Sequence, residues 1–145
     1  MQQRMGGING IVISKDLNCT VSVGQDKKIV FWDNDLKLVN SLSKASNVLH
    51  SHFLDGENDE GLTIAISNCG KFIATGGTAG VIRIWLYPSG SLFVSAQGHN
   101  AAILSLTFSV DDKQLVSAAA DGAIILWYLN FEGYSMHNSV VSVAN

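Results

Sequence analysis

Charge is scarce in this sequence. Lys, Arg, Asp and Glu supply 14% of its 145 residues, while 47% are apolar. That balance excludes a disordered chain and indicates one domain with a real core. The nine basic and twelve acidic residues are scattered, and no basic cluster exceeds Lys27-Lys28. An electrostatic footprint for nucleic acid or for an anionic membrane surface is therefore lacking. The longest apolar run, 123–129, is far too short to cross a bilayer. The two cysteines, Cys19 and Cys69, have no C-x-x-C or other metal-ligand spacing. With no signal peptide ahead of the first apolar run, they are expected to be free thiols in a reducing compartment, and the protein soluble and cytoplasmic. Apolar residues nowhere recur at the 3.6-residue period, so helix content is expected to be near nil.

What the sequence does contain is a hairpin that repeats. Residues 113–127, KQLVSAAADGAIILW, place Asp121-Gly122 between two β-type runs, a strong turn signal because glycine supplies the positive φ that a tight turn needs. The three tryptophans, Trp32, Trp85 and Trp127, each end such a run: IVFW, VIRIW and AIILW. Ten residues before each stands a small hydroxylic residue, Ser22, Thr75 or Ser117, and eight residues before that a serine, Ser14, Ser67 or Ser109. The three units superpose without a gap from first strand to tryptophan. Polar or glycine turns separate the runs, and a fourth apolar run follows at 36–42 and 91–96. Short strands at this spacing indicate antiparallel all-β structure.

A unit of four strands repeating every 40–45 residues resembles the WD40 β-propeller blade. Residues 98–127, GHNAAILSLTFSVDDKQLVSAAADGAIILW, carry the Gly-His pair, and the first unit keeps the Trp32-Asp33 dipeptide. The other units have Trp85-Leu86 and Trp127-Tyr128, and the second has Ala79 at the turn aspartate. The resemblance implies three four-stranded antiparallel blades, a partial propeller: blade 1 over 4–44, a polar inter-blade insertion over 45–60, blade 2 over 61–97, blade 3 over 98–129, and a tail over 130–145 with its last strand near 139–144. Closed propellers have four to eight blades, and an open arc exposes strand edges. The missing blades are therefore expected from the rest of a longer chain, a second copy or a partner.

The resemblance also implies a buried hydrogen-bonded set of His99, Ser117, Asp121 and Trp127, with the imidazole between carboxylate and hydroxyl and the hydroxyl accepting the indole N–H. In blade 1 the set is reduced to Ser22, Asp26 and Trp32, with Arg4 in the histidine register; in blade 2 to Thr75 and Trp85. Those blades are expected to rely on Ile11, Ile13, Ile64, Ile66, Phe72, Ile73, Ile82 and Ile84. A catalytic reading of Ser117, His99 and Asp121 fails because a nucleophile must be exposed beside an oxyanion hole, and Ser117 lies mid-strand. No catalytic residue, cofactor or metal site is assigned.

The function expected of such a surface is a non-enzymatic protein-interaction scaffold. Its contacts are expected at Arg4, Met5, Gln25, Asp26, Lys27, Lys28, Asp55, Glu57, Asp59, Glu60, Thr78 and Asn100. Blades 2 and 3 are similar to the closing blades of cilia- and flagella-associated WD-repeat proteins, which implies a structural component of the axoneme, its transport machinery or the cytoskeleton. The rival reading is a metal-dependent hydrolase that uses His50, His52 and the acidic residues after them; a solvated loop explains the same residues more simply. Phe131 and Tyr134 are candidates to dock the tail on a neighbouring surface.

Overall fold

In a computed structural model the described residues are 6–34, 48–54, 59–133 and 135–142, with side chains described to 138 in the last segment. They form twelve strands and no helix. Strands β1 (Ile8–Ile13), β2 (Cys19–Gly24), β3 (Lys28–Asp33) and β4 (Val48–Phe53) make the first sheet. Strands β5 (Gly61–Ile66), β6 (Phe72–Gly77), β7 (Val81–Leu86) and β8 (Leu92–Gln97) make the second, and β9 (Ile103–Phe108), β10 (Gln114–Ala119), β11 (Ile124–Asn130) and β12 (Ser135–Ser142) the third. Each sheet is an antiparallel meander in chain order.

The three sheets share one register. Trp32 pairs with Thr20, Trp85 with Ile73 and Trp127 with Leu115. The first hairpin of every sheet carries a bulge at the same place, between Ile8 and Gly10, between Gly61 and Thr63, and between Ile103 and Ser105. Turn chemistry repeats with it. Ser14, Ser67 and Ser109 each accept the amide five residues on, Cys19, Phe72 or Gln114, at 3.0 Å, which pins the first hairpin from inside. The left-handed residue of that turn is Leu17, Gly70 or Asp112.

Two positions of the sequence reading are corrected. The fourth strand of the first sheet is Val48–Phe53, inside the stretch read as a polar insertion over 45–60; the run at 36–42 lies outside the described residues. An outer edge strand buries little, so VLHSHF offers no clean alternation to mark it. Ile11 and Ile13, expected in a core, point outward and are more than half exposed.

The period-two alternation of strands sends successive side chains to opposite faces, and the cores lie between sheets. Val21, Val23, Ile29 and Phe31 of the first sheet meet Ile73 and Trp85 of the second. Ala74, Ile82 and Ile84 on the second sheet's other face meet Ile103, Leu115, Ile125 and Trp127 of the third.

Candidate functional site

In every blade the central strand presents a hydroxyl to the tryptophan of the next strand. The Trp32 indole N–H donates to Ser22 Oγ at 2.8 Å, that of Trp85 to Thr75 Oγ1 at 3.0 Å, and that of Trp127 to Ser117 Oγ at 2.8 Å. All six residues are buried. In the third blade His99 Nε2 lies 2.6 Å from the same Ser117 oxygen.

Asp121 does not complete this chain, contrary to the sequence expectation. Its Oδ1 accepts the Ala123 amide at 3.0 Å, closing its own turn, and the residue is exposed. His99 Nδ1 is buried without a hydrogen-bond partner. Burial lowers the His99 pKa, and the negative charge of Asp121 offsets this only in part. Asp26 makes the corresponding turn bond to the Lys28 amide at 3.2 Å. Arg4 lies outside the described residues.

The second blade uses different chemistry. Asp59, read from the sequence as an exposed binding residue, is fully buried. Its Oδ2 accepts from Arg83 Nη1 at 2.5 Å and its Oδ1 from the Ala79 amide at 3.0 Å, with the Thr78 hydroxyl at 3.3 Å. The pair ties the segment before β5 to the β6–β7 turn, as a histidine–aspartate contact would. One sequence signal was available: Arg83 is the charged residue in the otherwise apolar strand VIRIWL.

Asp112 was not anticipated either. Its carboxylate accepts the Asn68 amide at 2.7 Å, the Asn68 side-chain amide at 3.0 Å and the Cys69 amide at 2.8 Å, clamping the third blade's first hairpin to the second's. Burial works to raise the Asp112 pKa, but the hydrogen bonds from Asn68 and Cys69 outweigh it, so the value is lowered. Across the other boundary both oxygens of Asp16 accept the Tyr87 hydroxyl at 2.9 Å.

The remaining candidates divide. Gln25 and Asn100 are exposed, Lys27 and Glu60 half-exposed, and the Lys28 ammonium sits 4.8 Å over the Phe53 ring. Asp55 and Glu57 lie outside the described residues. His50 and His52 share a face of β4 within an aromatic column: His50 meets Phe31 edge-on at 5.7 Å, the two imidazoles stack at 6.5 Å, and His52 stacks on Trp85 at 5.9 Å. Among the described residues, no group of three His, Cys, Asp or Glu could hold a metal ion. Phe131 stacks on Phe72 at 4.3 Å, and Tyr134 lies outside the described residues. Cys19 and Cys69 are both free; burial, with the Asp16 charge second, pushes the Cys19 thiol up to about 11.

Three antiparallel four-stranded sheets in one register, stacked face to face, define consecutive blades of a β-propeller. The family model described as "WD domain, G-beta repeat" matches residues 44–85 and 90–128, and the chain belongs to the WD40 family. Each matched stretch takes the outer strand of one blade with the three inner strands of the next, so the sequence repeat stitches neighbouring blades together. Among curated relatives, Cilia- and flagella-associated protein 52 of Chlamydomonas reinhardtii is 25% identical over 81% of this chain and 17% of its own length. The U3 snoRNP-associated protein-like EMB2271 of Arabidopsis thaliana is 27% identical over 88% of this chain and 28% of its own. The chain thus spans less than a third of either. The solved structure "Crystal structure of RRP9 WD40 repeats" superposes with a TM-score of 0.77 at 23% identity, covering 94% of this chain and 39% of that one.

Proposed function

We propose that the chain is a non-enzymatic protein-interaction scaffold that binds through the blade face bearing the β2–β3, β6–β7 and β10–β11 turns. One observation carries this reading. The serines, the histidine and the aspartates that could suggest chemistry are buried or spent on holding strands, turns and blades together, while Gln25, Thr78 and Asn100 are exposed at equivalent ends of adjacent blades, even though Gln25 and Thr78 also accept the Gly7 and Glu60 amides. Such loops on a rigid frame are where binding residues collect. WD40 repeat proteins act as interaction scaffolds, and completion of the ring by further blades would complete the face.

Within that role we place the protein in the cytoplasm, as a ciliary, axonemal or cytoskeletal component. The 25% identity to the cilia- and flagella-associated relative supports this. The snoRNP-associated relative is comparably similar, so localisation discriminates: tagged protein should concentrate along the axoneme, and nucleolar accumulation removes the ciliary reading. For the scaffold itself, proximity labelling in ciliated cells should return a reproducible partner set. Gln25→Ala/Lys27→Ala/Asn100→Ala should reduce its recovery about tenfold, a loss of the size expected for one binding contact, with little change in melting temperature, since the Gly7 amide bond to Gln25 Oε1 that it removes is exposed. Lys15→Ala/Lys113→Ala on the opposite face should leave it intact. Equal loss from both faces overturns the assignment. Stoichiometric zinc or calcium in purified protein would favour the metal-dependent hydrolase instead.

A further inference from the structure

We propose that the two open faces of the arc fit each other, so that two copies close head to tail into a six-bladed ring. This rests on the reading of the chain as a partial propeller and names the occupant of its open faces.

Shared register lets each residue be compared with its counterparts at the same distance from the tryptophan. The face that blade 1 turns to blade 2 carries Val21, Val23, Ile29 and Phe31, and the face that blade 2 turns to blade 3 carries Ala74, Gly76, Ile82 and Ile84; all eight are buried. The counterparts in blade 3 are Val116, Ala118, Ile124 and Leu126, none of them buried, with Ile124 36% exposed. On the opposite side, Gly61 and Ile103 face the preceding blade and are buried, whereas their counterpart Ile8 is 53% exposed. Blade 3 therefore presents an unfilled rear face and blade 1 an unfilled front face.

The size pattern says what fills them. At one position of each boundary a large side chain meets a small one. A Cβ on Gly61 would come within 2.5 Å of Val23, and a Cβ on Gly76 within 2.7 Å of Ile103. The next pair in this series is Ala118 with Ile8 of a second copy, again small against large. Gly10 lies under Ile64 in the same way, and the corresponding pair is Ser105 with Ile11, which is 63% exposed.

The hairpin clamp supplies the selective evidence. Between blades 2 and 3 it joins Asn68 to Asp112 by polar bonds, and between blades 1 and 2 it joins Lys15 to Gly70. At the open boundary the same two positions are Val110 and Leu17, 92% and 66% exposed. Both ends of that contact are aliphatic, so the water-exposed surface that each leaves is removed by the other. Blade 1 of this chain thus carries, at the matching position, an exposed aliphatic residue for Val110 to meet. Six blades lie within the range of closed propellers, and head-to-tail association satisfies every face once the rotation closes.

Sedimentation equilibrium of the wild-type chain at about 100 μM, where an interface of ordinary size is saturated, should give twice the 15.5 kDa chain mass. Leu17→Cys/Val110→Cys in a Cys69→Ser background should oxidise to an inter-copy disulfide: at the corresponding boundary a Cβ on Gly70 would lie 3.0 Å from Lys15 Cβ, so a shift of about 0.5–1 Å reaches disulfide spacing. Both residues sit in exposed turns, so Leu17→Glu and Val110→Glu should each leave the far-UV spectrum unchanged and weaken the pair at least tenfold. A folded wild-type monomer overturns the proposal, as does a dimer that neither crosslinks nor responds to either glutamate, or an open polymer. The scaffold reading survives any of these outcomes, because its own test is the loss of captured partners on Gln25, Lys27 and Asn100 substitution.

Discussion

The second and third blades close the same seam with opposite chemistries. Both must tie the segment before the inner strand to the second hairpin, or the strands lose a fixed register. The third blade uses an imidazole against the Ser117 hydroxyl; it carries little charge but leaves His99 Nδ1 unpartnered. The second uses a buried Asp59–Arg83 ion pair in which Asp59 also takes a backbone amide. A neutral network of this kind fails gradually when altered. An ion pair fails abruptly when halved, because the surviving charge has no water to return to. The less motif-like blade is therefore the one more sensitive to single substitutions.

That contrast breaks first at Arg83. Arg83→Met strands the Asp59 carboxylate and should cost about 3–5 kcal/mol in urea unfolding, the range for halving a buried pair. Asp59→Asn/Arg83→Met should recover most of the loss. A single substitution that costs no more than a surface change would show the pair to be solvated and remove the distinction between the blades.

Ser117→Ala comes next. It deprives the Trp127 indole and His99 Nε2 of one shared oxygen and should cost about 1–3 kcal/mol, the penalty for an unsatisfied buried group. Thr75→Val keeps the side-chain volume and orphans the Trp85 indole alone, so it should cost less under the same denaturant series. Equal costs would mean that His99 contributes nothing through Ser117.

The repeat was legible because it rests on local rules. Short apolar runs ending in tryptophan marked VIRIW and AIILW as strands, and Asp121-Gly122 marked a turn, without knowledge of any neighbour. Strand β4 was not legible, since an edge strand with two histidines and a serine carries no apolar stripe. Asp59 was misread because its partner stands 24 residues away, and a carboxylate in an acidic stretch ordinarily faces water. Asp121 was placed correctly in its turn, but no spacing tells whether its carboxylate faces the imidazole or its own backbone; it accepts the Ala123 amide. The clamp from Asp112 to Asn68 and Cys69 depends on blade adjacency, which no spacing within one repeat reveals.

Acid sharpens the comparison at the boundary between these two blades. The Asp112 pKa is lowered in the fold, so the clamp's contribution is fully present above the unfolded value of about 3.9 and lost as pH falls through the lower folded value. Asp112→Asn keeps one acceptor oxygen and should cost about 1–2 kcal/mol at neutral pH. Its melting temperature should fall less steeply than wild type below about pH 4. Parallel acid profiles would show that another carboxylate dominates.

The smallest effect concerns His99. Its folded pKa is lowered chiefly by burial, so the folded imidazole refuses a proton that the unfolded chain accepts below about pH 6.5. Stability is therefore complete above that value and declines as the pH drops from it toward the folded pKa. Between pH 7.5 and 5.5 the wild-type melting temperature should fall slightly, by about 2–4 °C for a sub-kilocalorie change in a domain of this size. His99→Gln, which replaces a titrating side chain with a neutral one, should lower the melting temperature at pH 7.5 and flatten the slope. A slope unchanged in that variant would place the acid sensitivity elsewhere than at His99.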